Sequence, residues 1–132
     1  MRSRHLSVVV AADPAAVYAF ASDVANLPKW AAGLAQAEVV PVGDLLKVDS
    51  PMGPVTVRFV PRNEFGVLDH DVTLPSGETV TNPIRVLAHP EGAEVVFTIR
   101  QLNLSDDEFE RDADMVAQDL ERLRALCEEQ CS

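Results

Sequence analysis

The chain has 132 residues, 47% of them apolar, and a formal net charge of −10. Such length and apolar content fit one folded domain with a core of its own, spanning 1–132, and exclude a disordered chain. Asp and Glu outnumber Lys and Arg 21 to 11, with no basic cluster, which argues against nucleic-acid partners and anionic membrane surfaces.

No apolar run approaches the roughly 18 residues that a membrane-spanning helix needs, so no membrane insertion is expected. Met1 to His5 is basic, but the apolar stretch after it is broken by Ser7 and ends at Asp13-Pro14. That is too short for a secretory signal, and a cytoplasmic location is expected. Leu6 to Ala11 is short and β-branched and predicts a strand. Asp13-Pro14 then opens a helix, with Asp13 as N-cap and Pro14 at its first position; Val17, Phe20, Ala21 and Val24 give it an apolar face. Asn26 caps a second short helix, Leu27 to Gly33, which carries Trp30 and stops at Gly33.

From Glu38 the turn signals come every 8 to 15 residues: Pro41 to Asp44, Pro51 to Pro54, Pro61 to Asn63 with Gly66, Pro75 to Gly77, and His89 to Gly92. Between them lie strand-like runs over 36–41, 44–50, 54–63, 66–74, 78–88 and 94–101, the spacing of an antiparallel meander. Residues 105–129 read differently. Phe109, Ala113, Val116, Leu120, Leu123 and Cys127 are spaced 4-3-4-3-4, which keeps one helix face apolar throughout. Ser105 and Glu108 form a capping box at its start, and Asp106 and Asp107 suit the positive end of the helix dipole. Such a helix has one surface to cover, the sheet that precedes it. A curved sheet gripping one long helix leaves room for a pocket between them.

Strand alternation assigns faces. One face collects Val55, Val57, Phe59, Leu68, His70, Val72, Leu74, Val80, Asn82, Ile84, Val86, Val95, Phe97 and Ile99, so it is apolar except for His70 and Asn82. The other collects Arg58, then Asp69 and Asp71, then Arg85, then Glu94, opposite charges on successive strands. A one-residue slip near Pro61 to Asn63 or at Gly66 would exchange the faces and bring Arg58, Asp69, Asp71 and Arg85 inside.

The order strand, two short helices, six-strand meander and long terminal helix resembles the helix-grip fold of the START/Bet v 1-like superfamily, also called SRPBCC or polyketide cyclase-like. The segment Asp13-Pro14-Ala15-Ala16-Val17-Tyr18-Ala19-Phe20-Ala21-Ser22-Asp23, followed by Leu27-Pro28-Lys29-Trp30, is similar to the opening segment of that superfamily. Asn63 to Val72 resembles a marker of a narrower bacterial branch. The resemblance implies an α+β fold: a curved antiparallel sheet of six to seven strands, two short helices, and the long helix over its concave face. It does not choose among carriers, receptors, cyclases and dehydratases, because fold does not fix function.

His70 is the sharpest candidate. A histidine on an apolar strand face under the helix is a core residue satisfied by a backbone carbonyl or Asn82, a ligand contact, or a proton-transfer group. Trp30 either walls a pocket entrance or anchors its short helix; Phe59, Phe97, Met52 and Met115 line either a pocket or a filled core. His5 and His89, at a terminus and a turn, read as solvated. Cys127 and Cys131 read as a packed and a frayed thiol, with a disulfide pair or part of a metal site as the alternatives; no metal or other cofactor is expected. No P-loop, dinucleotide glycine motif or nucleophile elbow occurs.

The favoured reading is a binding protein for an apolar, lipid- or polyketide-like small molecule. Val57, Phe59, Phe97 and Met115 would wall the site beside Trp30, and His70 and Asn82 would orient the ligand. Two alternatives stay open: a cyclase- or dehydratase-type enzyme using His70 for proton transfer, and a protein-interaction module with a collapsed pocket. The ligand's identity and the oligomeric state are not legible in these residues.

Overall fold

The computed structural model describes residues 1–31, 39–50 and 53–130. The expected helix stop at Gly33, the turn residue Met52 and the second thiol Cys131 lie outside these residues. The chain runs β1 (Ser3–Val10), α1 (Pro14–Ser22), a 3-10 turn (Val24–Asn26), α2 (Leu27–Trp30), β2 (Val40–Val42), β3 (Leu45–Ser50), β4 (Gly53–Phe59), β5 (His70–Thr73), β6 (Thr79–Asn82), β7 (Ile84–His89), β8 (Gly92–Arg100) and α3 (Asp106–Gln130). This is the expected helix-grip architecture with one correction. The meander does not form one sheet of six to seven strands. Among the described residues, eight strands form two antiparallel sheets, β1-β8-β7 and β2-β3-β4-β5-β6.

Pro83 is the reason. The sequence reads as one strand over 78–88, but proline has no N–H to give a ladder. The chain divides there into β6, which pairs with β5, and β7, which pairs with β8. Alternation survives the break, since Ile84 and Val86 stay buried in phase with half-buried Val80 and Asn82.

The helices start as their capping residues dictate. Asp13 accepts a hydrogen bond from Ala15 N at 2.8 Å and Pro14 begins α1. Asp23 ends it in an extended conformation and caps the next turn through Ala25 N at 3.0 Å. That turn puts Val24 at the surface, 37% exposed, rather than on the buried face with Val17, Phe20 and Ala21. Asn26 does not cap α2; its amide donates back to Phe20 O at 3.1 Å. The capping box of α3 closes in both directions, Glu108 N to Ser105 Oγ at 3.1 Å and Ser105 N to Glu108 Oε1 at 2.9 Å. All six stripe residues of α3, Phe109 to Cys127, are buried. At 1.5 Å per residue the helix is about 37 Å long.

Between β4 and β5 the backbone leaves the ladder, and one side chain organises it. Asn63 Oδ1 accepts from Phe65 N at 2.9 Å and Val67 N at 3.2 Å, while its amide donates to Pro61 O and Val67 O, both at 3.0 Å. Asn63 N donates to the buried Tyr18 hydroxyl at 3.0 Å. The strands expected over 54–63 and 66–74 are therefore shorter, ending at Phe59 and beginning at His70. Segment 66–68 then docks on β7 through Val86 N to Gly66 O and Leu68 N to Ile84 O, both 2.8 Å.

Gly66 is required at this seam. Its φ is +71°, and a Cβ there would lie 2.3 Å from Val86 O. Gly77 is also left-handed, at φ +91°, but has open space around it. Gly66→Ala is expected to cost about 2–4 kcal/mol, conformational strain plus displacement of a hydrogen-bonded strand. Gly77→Ala carries only the strain, about 1 kcal/mol. Urea denaturation of the two variants compares them directly; equal losses would mean that the seam at Val86 yields freely.

Candidate functional site

Between α3 and the inner sheet face lies a cavity of about 520 Å³. It exists because α3 covers that face incompletely. β5 and β6 sit at the end of their sheet away from β2, and α3 packs chiefly along β1. The buried wall includes Leu27, Trp30, His70, Val72, Ile84, Ile99, Val116 and Asp119. The rim is polar: Glu78, Arg100, Asn103, Glu108 and Arg111 are exposed there. A second, shallower hollow of about 420 Å³ lies over β3 and β4 and holds none of the candidate residues.

Six of the seven residues expected at a site line this cavity together: Trp30, Phe59, His70, Asn82, Phe97 and Met115. Val57, fully buried, lies in the core and is not among the lining residues. Met115 stands 36% exposed at the margin.

His70 is 3% exposed and sits opposite Phe59 on one neighbouring strand and Asn82 on the other. Its ring is tilted against Phe59 at 4.8 Å between centroids and edge-on to Phe97 at 6.1 Å. Nδ1 lies 3.3 Å from Leu68 O; a carbonyl only accepts, so Nδ1 carries the proton and Nε2 keeps its lone pair. Burial pushes the imidazole down from 6.5 to about 4, against weaker opposing pulls from the Leu68 carbonyl and from Asp69 and Asp71. His70 is thus a neutral acceptor at neutral pH.

The neighbours of His70 in sequence point the other way. Asp69 takes Arg85 in a bidentate pair, Nε to Oδ1 at 3.0 Å and Nη2 to Oδ2 at 2.7 Å, and also accepts from Ile84 N at 3.0 Å. The Arg85 guanidinium holds the Asp69 carboxyl below its ordinary range. Asp71 accepts from Thr81 Oγ1 at 2.5 Å, and Arg58, opposite it in the ladder, reaches Asp44 at 3.4 Å. No slip has exchanged the faces.

Several lining groups escape the reading of α3 as a single apolar stripe. Glu108, Asp112, Met115 and Asp119, spaced four, three and four apart, form a parallel row turned toward the cavity, with Arg111 beside it. Asp119 is 4% exposed and paired with Arg122. Asp112 is half-buried; burial first, and the like charge of Asp119 second, raise its carboxyl above the ordinary range. The signal was present as acidic residues beside the apolar positions of the helix. Trp30, 2% exposed, has an indole N–H without a hydrogen-bond partner among the described residues. At the rim, Leu102 adopts φ +44°, a left-handed conformation uncommon for leucine and typical of residues held in place at sites. Among the described residues, no three His, Cys, Asp or Glu side chains gather as a metal site, and no helix is long and apolar enough to cross a membrane.

The model of the family described as polyketide cyclase/dehydrase and lipid transport matches residues 1–128. Among solved structures, the Aha1 dimer from Colwellia psychrerythraea superposes with a TM-score of 0.78 at 15% identity, covering 97% of each chain. The protein XoxI from Bacillus cereus gives 0.73 at 15% identity over 96% of this chain and 95% of its own. Ara h 8.0201 gives 0.67 at 14% identity over 95% and 96%. At such identities the likeness shows the fold alone. Among curated proteins, no sequence matches the chain.

The His70 environment has a consequence in acid. The unfolded imidazole titrates near 6.5 and the folded one near 4, so the unfolded chain binds more protons between these values. Stability contributed by neutral His70 is fully present above pH 6.5 and is lost as pH falls toward 4. Urea unfolding is expected to show wild type losing about 2–3 kcal/mol more than His70→Leu between about pH 7 and about pH 4.5. Parallel losses would mean that the imidazole is solvated.

Proposed function

The chain belongs to the polyketide cyclase/dehydrase and lipid transport family, and on that premise we propose that it is a small-molecule binding protein whose ligand lies between α3 and the sheet. The observation that carries this reading is the cavity itself: about 520 Å³, walled mainly by apolar and aromatic side chains, with a few inward polar groups. That is the composition of a ligand site. Trp30, Phe59 and Phe97 supply flat apolar surface, and His70 Nε2 and Asn82 supply the orienting contacts.

Two features favour binding over turnover at His70. The imidazole, pushed down to about 4, is a weak base at neutral pH. Among the described residues its hydrogen-bond partner is a backbone carbonyl, not a carboxylate that would steady a developing positive charge. The cavity volume counts against a collapsed interaction module.

Trp30 is the only tryptophan and lies in the cavity wall, so its fluorescence reports occupancy. Titration with apolar, polyketide-like and lipid ligands is expected to give a saturable change in the micromolar range. Loss of one orienting hydrogen bond in His70→Leu should weaken binding about tenfold. Silence across the set, with no rise in melting temperature, would remove the container reading.

A further inference from the structure

The polar groups inside the cavity are mostly acceptors. Asp112 and Asp119 lie two turns apart on α3 and both line it. The other charged lining groups are Glu78 on the β5–β6 turn, Glu108 and Arg111 on α3, and Arg100 on β8. The eleven Lys and Arg of the chain all fall within the described residues. Arg2, Arg4, Arg58, Arg85, Arg122 and Arg124 are engaged with other carboxylates, and no cation of the chain forms an ion pair with Asp112. The charge felt there is that of Asp119, which has the same sign. A half-buried carboxylate with no counter-ion is costly, and an occupant of opposite charge relieves that cost.

One further group, at least nine-tenths buried, leaves a polar atom for an occupant. His70 has Nδ1 tied to its own strand, so Nε2 is the ring atom left to the cavity. A neutral imidazole lone pair welcomes a donor and repels an anion.

Resting on the container reading, we propose that the ligand is a protonated amine on a flat apolar body, its ammonium seated at Asp112 and its body against Trp30, Phe59 and Phe97. His70 Nε2 offers a second acceptor to the donor end. The aromatic walls suit a cation as well, because ring faces attract positive charge.

The test uses three probes sharing one body: anthracenylmethylamine, anthracenylmethanol and anthracenylcarboxylate. Binding is read by anthracene fluorescence anisotropy on the full chain at neutral pH. The amine is expected to bind about tenfold or more tighter than the alcohol, and the carboxylate weakest. Asp112→Asn, of the same shape, should bring the amine down to the level of the alcohol and leave the alcohol unchanged. Asp112→Glu should keep the preference. Should Asp112→Asn not fold, the wild-type ranking of the three probes still decides. An alcohol bound as tightly as the amine, or a preference that survives Asp112→Asn, overturns the assignment while the container reading stands. Tightest binding of the carboxylate overturns it in favour of the rim arginines. If none of the three binds and none raises the melting temperature, the container reading falls and the amine proposal with it.

Discussion

The face that β5 turns inward decides what the cavity contains, and that face is set by a seam outside the sheet. Asn63 folds the segment before β5 around its own carboxamide, and Gly66 lets that segment approach Val86 closely enough to bond. From there the pleat counts off: Leu68 in, Asp69 out, His70 in, Asp71 out. Asp69 locks the count from the other side by taking both Arg85 and Ile84 N. A shift of one residue would bury two aspartates and expose the histidine. The Arg85 pair is partly exposed, so its own strength is modest. Its value lies in the register it enforces.

The second determinant is the double character of α3. Its apolar stripe from Phe109 to Cys127 packs fully into the core, chiefly against β1, and fixes the helix. The row beside it, from Glu108 to Asp119, faces the part of the sheet the helix does not reach. A helix with a wider apolar arc would have closed onto β5 and β6. Acidic side chains on that flank keep the two layers apart, since burying their charge against apolar strand residues is unfavourable. The cavity thus follows from the same sequence periodicity that docks the helix.

Much of this was legible because it depends on local chemistry. The capping box at Ser105, the stripe of α3, the Asp13-Pro14 start and the inward set on β4, β5 and β8 all follow from residue type and period. What escaped depended on partners distant in the chain. Pro83 looks tolerable in an alternating run until it is known that its two halves pair with different strands. Val24 extends an apolar face until Asp23 turns the chain. Asn26 looks like a cap but bonds back to α1. Asp112 and Asp119 do not by themselves signal a site in the sequence, because nothing there says that a helix flank overlooks an unfilled space.

Costly groups beside the cavity are the main support for the proposed occupant. A folded chain satisfies nearly all its buried polar atoms, and each exception costs about 1–3 kcal/mol. Among the described residues Trp30 Nε1–H is such an atom, Asp112 is a half-buried carboxyl with no ion-pair partner, raised by burial, and Leu102 holds a left-handed backbone at the rim. Three unrelated penalties, on α2, on α3 and on the strand-to-helix connection, meet around one space. Packing alone would remove each by an ordinary substitution: phenylalanine at 30, leucine at 112, glycine at 102. Their convergence beside a single cavity supports the proposed binding role over a core shaped only for stability.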